Sequence, residues 1–109
     1  MSKIKYDYNE DILYIRKKEK SIVYSIDIMD NFIIDLDSNN KVVGLEILNA
    51  SKNLNISKNQ LKEVKEGNIS TLTLKNAFGV KFFLLFPKMR LESHVQIPLK
   101  RHRALVKIN

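Results

Sequence analysis

Residues 21–48 read SIVYSIDIMDNFIIDLDSNNKVVGLEIL, and this stretch decides the fold. Apolar and polar residues alternate through residues 21–29, which puts Ile22, Tyr24, Ile26 and Ile28 on one face of a strand. Asp30-Asn31 is a turn signal, because both residue types tolerate left-handed or Asx-turn geometry. Residues 32–36 form the next strand, Asp37-Ser38-Asn39-Asn40 the next turn, and residues 41–48, rich in Val and Ile, a further strand.

The same period runs upstream. Lys3-Ile4-Lys5-Tyr6-Asp7-Tyr8 alternates, Asn9-Glu10 turns, and Asp11-Ile12-Leu13-Tyr14-Ile15 pairs back as a tight hairpin. Together these segments predict an antiparallel meander of hairpins.

Downstream, residues 49–55 are polar and irregular. Ser57 suits a helix N-cap, Leu61 and Val64 share a face, and Gly67 suits a C-cap, which predicts one short helix near residues 57–66. Residues 69–74 alternate again, and residues 76–79 read as a turn. Residues 80–86 are almost continuously apolar and read as the most buried strand, which Pro87 stops. Val95, Ile97 and Leu99 alternate, and residues 104–108 end the chain as a short strand or a tail. The fold class expected is α+β, mostly antiparallel sheet, in a single domain over residues 1–109.

The chain's 109 residues rule out a two-domain enzyme with a cleft between its halves. Without cysteine there is no disulfide, no thiolate metal site and no cysteine nucleophile. No apolar run approaches the ~18 residues of a membrane span, and residues 1–5 lack a signal-peptide core, so a soluble cytoplasmic protein is expected.

The net charge of +7 is uneven: residues 1–56 carry −1 and residues 57–109 carry +8. A one-sided basic surface would steer polyanions or acidic proteins toward it, whereas a scattered surplus only confers solubility.

Within the first half, Tyr6-Asp7, Asp11-Ile12-Leu13-Tyr14-Ile15, Ile34-Asp35-Leu36-Asp37 and Lys41-Val42-Val43-Gly44-Leu45-Glu46-Ile47-Leu48-Asn49-Ala50-Ser51 stand in order. This set resembles a family of small prokaryotic proteins known as domain of unknown function twenty-two eighty-three, over about residues 3–53. The resemblance implies a compact β-rich domain without an established activity. Through family members encoded beside small toxin-like proteins, it implies an antitoxin-like partner as one role. Residues 54–109 resemble nothing comparable.

Candidate chemistry is sparse. Asp35, Asp37, Asn39 and Glu46 match positions 1, 3, 5 and 12 of a calcium loop. Asn40 stands where that template needs Gly, and the flanks are strands where it needs helices. An Asx-rich hairpin turn is therefore expected, with no metal and no cofactor, and the cation loop is the lesser alternative. Asp7 with Asp11 and Asp35 with Asp37 are carboxylate pairs bordering turns, so solvated carboxylates are expected rather than an acid–base pair. Ser51 has no local base. Three glycines, Gly44, Gly67 and Gly79, cannot build a phosphate loop.

The basic C-terminal stretch carries Lys88, Arg90, Lys100, Arg101, Arg103 and Lys107 with His94 and His102, and it lacks aromatic residues on which bases could stack. It is the candidate contact for nucleic acid or an acidic partner. The leading expectation is a non-enzymatic interaction module binding a protein partner, with a homodimer favoured over a monomer to hide sheet edges. The alternative is a nucleic-acid binder, and a metal-dependent enzyme or hydrolase comes third.

Overall fold

The computed structural model describes the backbone of residues 2–18, 20–98 and 105–108, and the side chains of residues 2–18 and 20–97. Its strands are β1 (Ser2–Asp7), β2 (Ile12–Lys17), β3 (Tyr24–Ile28), β4 (Phe32–Leu36), β5 (Val42–Ile47), β6 (Glu66–Leu74), β7 (Ala77–Phe86), β8 (Met89–Pro98) and β9 (Leu105–Ile108). Two short helices, α1 (Ala50–Leu54) and α2 (Lys58–Leu61), join β5 to β6. The α+β class with mostly antiparallel strands holds.

The strands form two sheets, one of six in the order β1-β2-β5-β4-β3-β9 and one of three in the order β6-β7-β8. Every pairing is antiparallel. Pairing follows chain order within β1–β2 and within β3–β4–β5. A simple meander would next pair β2 with β3, but β2 pairs with β5 instead, with Ile15 opposite Leu45. Alternation assigns a residue to a face and says nothing about which strand lies alongside, so this order is a property of the assembled core.

The sheets pack face to face around one cluster of buried side chains. Leu13, Ile34, Ile47 and Leu45 supply the six-stranded side, and Ile69, Val80, Phe82 and Leu84 the three-stranded side. Each such side chain contributes about 1.5–3 kcal/mol when withdrawn from water. The most buried strand is β5, not residues 80–86. In β7 the burial alternates, with Val80, Phe82, Leu84 and Phe86 inward and Lys81 exposed. A strand inside a two-layer protein faces the core on one side only, so an apolar run need not be covered on both faces.

The helical segment differs from expectation. Ser57 is indeed an N-cap, its hydroxyl accepting from Gln60 N at 3.1 Å. The helix it starts ends at Leu61, however, and Gly67 lies inside β6 rather than capping a helix. The Lys65 N–H donates to the Leu85 carbonyl at 2.8 Å, so the chain joins β7 before another helical turn can form. Residues 49–55, expected to be irregular, hold α1 between Asn49 (φ 47°) and Asn55 (φ 56°), both left-handed. The turn expected at residues 76–79 is Lys75-Asn76, and Gly79 lies inside β7. The chain's last described segment is a strand, β9, paired with β3.

Candidate functional site

The first polar centre lies where the β1–β2 turn meets α1. Asp11, at φ 56°, reverses the chain between the two strands. Its carbonyl accepts from the Ala50 N–H at 2.8 Å. Its carboxylate accepts from the Ser51 hydroxyl at 2.6 Å, the Ser51 N–H at 3.1 Å and the Tyr6 hydroxyl at 2.6 Å. Burial alone would push the Asp11 carboxyl up, but the hydrogen bonds from Ser51 and Tyr6 and the nearby Lys58 charge outweigh it, and the net direction is down. The Tyr6 phenol is pushed well above its ordinary value by burial first, then by its bond to Asp11 and the charge on Asp11.

A carboxylate held ionised in this way is a weak base. It orients Ser51, and among the described residues no histidine bonds to the Ser51 hydroxyl. The group is a lock between the first hairpin and α1. Beside it, Tyr8 meets the Tyr6 ring edge-on at 6.5 Å and lies under Lys58 and Lys62, whose Nζ atoms are 4.3 Å and 5.1 Å from its centroid. Asp7 is not paired with Asp11. It accepts from the Glu10 N–H at 3.0 Å and closes the turn.

The calcium-loop residues are dispersed. Asp35 is buried in β4, where the Ser25 hydroxyl donates to it at 2.6 Å. It fits because Gly44 lies opposite, and a Cβ there would come within 2.5 Å of Asp35 Oδ2. Asp37 accepts from the Asn39 and Lys41 N–H groups at 2.8 Å and 2.9 Å. Backbone hydrogen bonding, chiefly from Lys41, holds its carboxyl below the ordinary carboxylate range. Asn40, at φ 62°, accepts from the Tyr24 hydroxyl, and Glu46 sits on β5 between Tyr14 and Ile33. Among the described residues no three His, Asp or Glu side chains group as a metal site. The Asx-rich hairpin turn is what these residues build.

The second centre is the outer face of the three-stranded sheet, which sequence reasoning missed. Its middle is Phe83, flanked in register by Asn68 on β6 and Glu92 on β8. The Arg90 guanidinium stacks over the Phe83 ring at 4.6 Å and reaches Glu92 at 3.3 Å. Ser70, Lys81 and His94 form the next row. A shallow depression of about 210 Å³ opens between these rows, lined by Asn68, Ser70, Lys81, Phe83 and Glu92. The sequence signal was available, since Lys81, Phe83 and Leu85 are the alternate positions of a strand whose other face is core. The unbroken apolar reading of residues 80–86 hid it.

Of the basic candidates, Lys88 lies in the exposed β7–β8 turn and Arg90 on this face. Lys107 lies on β9, where the backbone alone is described, and Lys100, Arg101 and Arg103 lie outside the described residues. Lys81 and Arg90 share the outer face of the three-stranded sheet. Lys75 and Lys88 occupy turns at opposite ends of β7, and Lys58 and Lys62 stand over Tyr8. No helix among the described residues is long and apolar enough to cross a membrane.

Comparison with known proteins places the first centre. Residues 3–51 match the family described as Protein of unknown function (DUF2283). The match covers 49 of the chain's 109 residues, all within its first half. All the residues of the Tyr6–Asp11–Ser51 lock fall within the DUF2283 region, and the outer face of the three-stranded sheet lies beyond it.

An uncharacterized protein of Methanocaldococcus jannaschii is 46% identical over 59 residues, covering 54% of this chain and 50% of that protein. A Methanosarcina mazei protein provisionally named hypoxanthine phosphoribosyltransferase is 31% identical over 65 residues, covering 60% of this chain and 52% of that protein. The chain thus spans about half the length of the curated relatives it matches. No solved structure matches.

Proposed function

We propose that this protein is a non-enzymatic interaction module that binds a protein partner through the outer face of β6–β7–β8. The observation that carries this reading is the half-buried Phe83 held under Arg90 between Asn68 and Glu92 on that face. Aromatic and arginine side chains are the residue types that anchor interfaces when water is excluded around them. The face mixes Lys81 and Arg90 with Glu66 and Glu92, which suits a protein surface of mixed charge better than a uniform polyanion.

The polar residues of the DUF2283 region support the non-enzymatic part, because Tyr6, Asp11 and Ser51 are engaged with one another and with α1. Phosphoribosyl transfer, suggested by the name of one relative, finds no support in the glycines. Gly44, Gly67 and Gly79 all lie within strands, where none can wrap a phosphate. An antitoxin-like role is one specific form of this proposal, with a small neighbouring toxin as the partner.

The test is capture of a defined partner by the full chain, compared with Phe83→Ala and Arg90→Glu. Loss of the complex in both variants with unchanged thermal unfolding supports the reading. A complex indifferent to both substitutions overturns it. Salt-sensitive binding of duplex or single-stranded nucleic acid in place of a protein would transfer the role to the alternative reading.

A further inference from the structure

We propose that the open edge of β8 pairs antiparallel with β8 of a second copy, about a twofold axis passing at Ser93, and joins two three-stranded sheets into one of six. The inference concerns an edge rather than the outer face and does not depend on that face binding a partner.

Among the described residues, β8 is the long strand left with an unpaired edge. It pairs with β7 through residues 89–98, and its other side carries no strand. The opposite edge of that sheet is covered: the Ser2 hydroxyl donates to Asn68 on β6 at 2.7 Å, and Thr71 on β6 accepts from the Val42 N–H at 3.0 Å. A ten-residue strand with an open row of N–H and C=O groups is a template for pairing. Glu92, Ser93 and His94 at its middle are exposed.

Hairpin geometry fixes which groups face outward. Phe86 and Met89 close a two-residue loop, and such a closing pair exchanges both of its hydrogen bonds. Counting from there, the even-numbered residues Arg90, Glu92, His94 and Gln96 direct their backbone N–H and C=O toward the open side. Pro98 falls in the same series, at a position where a missing N–H disturbs no bond to β7.

Side-chain chemistry then selects the register. Residues directly opposite in an antiparallel pair share a face, so the axis must pass through a residue and not between two. An axis at Glu92 would set Glu92 against its own copy, and one at His94 would do the same to His94. An axis at Ser93 sets Glu92 against His94 of the second copy, twice, and Arg90 against Gln96. On the core side it sets Leu91 against Val95 and Met89 against Ile97, all apolar. It also overlaps the strands from Met89 to Ile97, nearly their whole length. The charges of Arg90 and Glu92 cancel on this strand, although the chain carries +7 overall, so two copies can approach here without the repulsion the total implies.

Sedimentation of the full chain is the test. The expected result is a concentration-dependent dimer that becomes monomeric in His94→Pro, which blocks the outward N–H while leaving the bonds to β7 in place. Glu92→Lys is also expected to dissociate it, and the double variant Glu92→Lys with His94→Asp to restore it, because an ammonium then faces a carboxylate across the axis. Circular dichroism and the unfolding midpoint confirm that each variant folds. A wild-type protein that sediments at the mass of one chain across the concentration range overturns the proposal, as does a dimer that persists in a folded His94→Pro protein.

Discussion

The Ser51 hydroxyl donates to Asp11 Oδ2 at 2.6 Å, tying the turn of the first hairpin to helix α1 across forty positions of sequence. Ser51 gives that carboxylate its backbone N–H as well, and Tyr6 gives it a second hydroxyl. The bond is therefore one member of a network in which each group satisfies another.

Removing the shared acceptor strands all three donors. Asp11→Ala is expected to lose about 2–3 kcal/mol, more than Ser51→Ala at about 1 kcal/mol, because hydrogen bonds to a charged group are worth more and the orphaned donors remain half-buried. Urea unfolding at neutral pH, compared at equal m-value, checks it. Equal midpoints for wild type and Asp11→Ala would sink the assignment.

The same residue sets an acid limb. The folded-state pKa of Asp11 is depressed below its unfolded value of about 3.9, so its contribution is fully present above that pH and is lost as pH falls through the folded-state value. Asp11→Asn is expected to flatten the decline of stability in this window. Tyr6 acts in the opposite sense: its pKa is raised, so its contribution is present below the unfolded value of about 10 and fades at higher pH. Unfolding midpoints across both limbs read the two effects separately.

Met29 stands at φ 50° beside Asp30 at φ 60°, the two central residues of a turn closed by the Asn31 N–H and the Ile28 carbonyl at 3.0 Å. Positive φ at both positions suits Asn or Gly. Met29 is also 85% exposed and packs against nothing that would compensate. Met29→Asn is expected to stabilise by about 0.5–1 kcal/mol, seen as a rise in Tm.

Gly79 lies where β7 and β8 approach closely, and a Cβ there would drive into the Val95 carbonyl and the Gln96 backbone. The obstacle is main chain and cannot swing aside. Gly79→Ala is expected to destabilise by about 2 kcal/mol or more, measured by denaturant unfolding. A neutral result would mean that the strands separate there at no expense.

Calcium at millimolar concentration is expected to leave Tm unchanged. The candidate ligands are already engaged, Asp35 with Ser25 and Asp37 with two backbone N–H groups. A calcium-dependent rise in Tm, abolished in Asp37→Ala, would revive the loop as a cation site.

Much of the strand content was legible, because strands and turns are coded locally. Asn40 and Asp30 adopt the left-handed turns their residue types favour, and Ser57 caps a helix as its hydroxyl suggests. The helix beyond Ser57 was misjudged because Gly67 serves a different need. A Cβ there would come within 2.7 Å of Ile4 Cδ1, a contact made only when β1 crosses β6. The outer face of β6–β7–β8 was legible in principle from alternate positions of β7, but only pairing with β8 brings Arg90 over Phe83.

The sequence alone determined that the chain is built of short antiparallel strands with polar Asx turns, since a period of two and turn residues are properties of neighbours in the chain. It also determined the uneven distribution of charge. Tertiary structure decided that β2 lies beside β5, that β9 closes on β3, and that Ser51 finds Asp11. Hydrogen-bond ladders and core packing join residues far apart in sequence, and each face of a strand can satisfy several neighbours. The choice among them is made by the collective burial of Leu13, Ile34, Leu45 and Ile47, which no local pattern encodes.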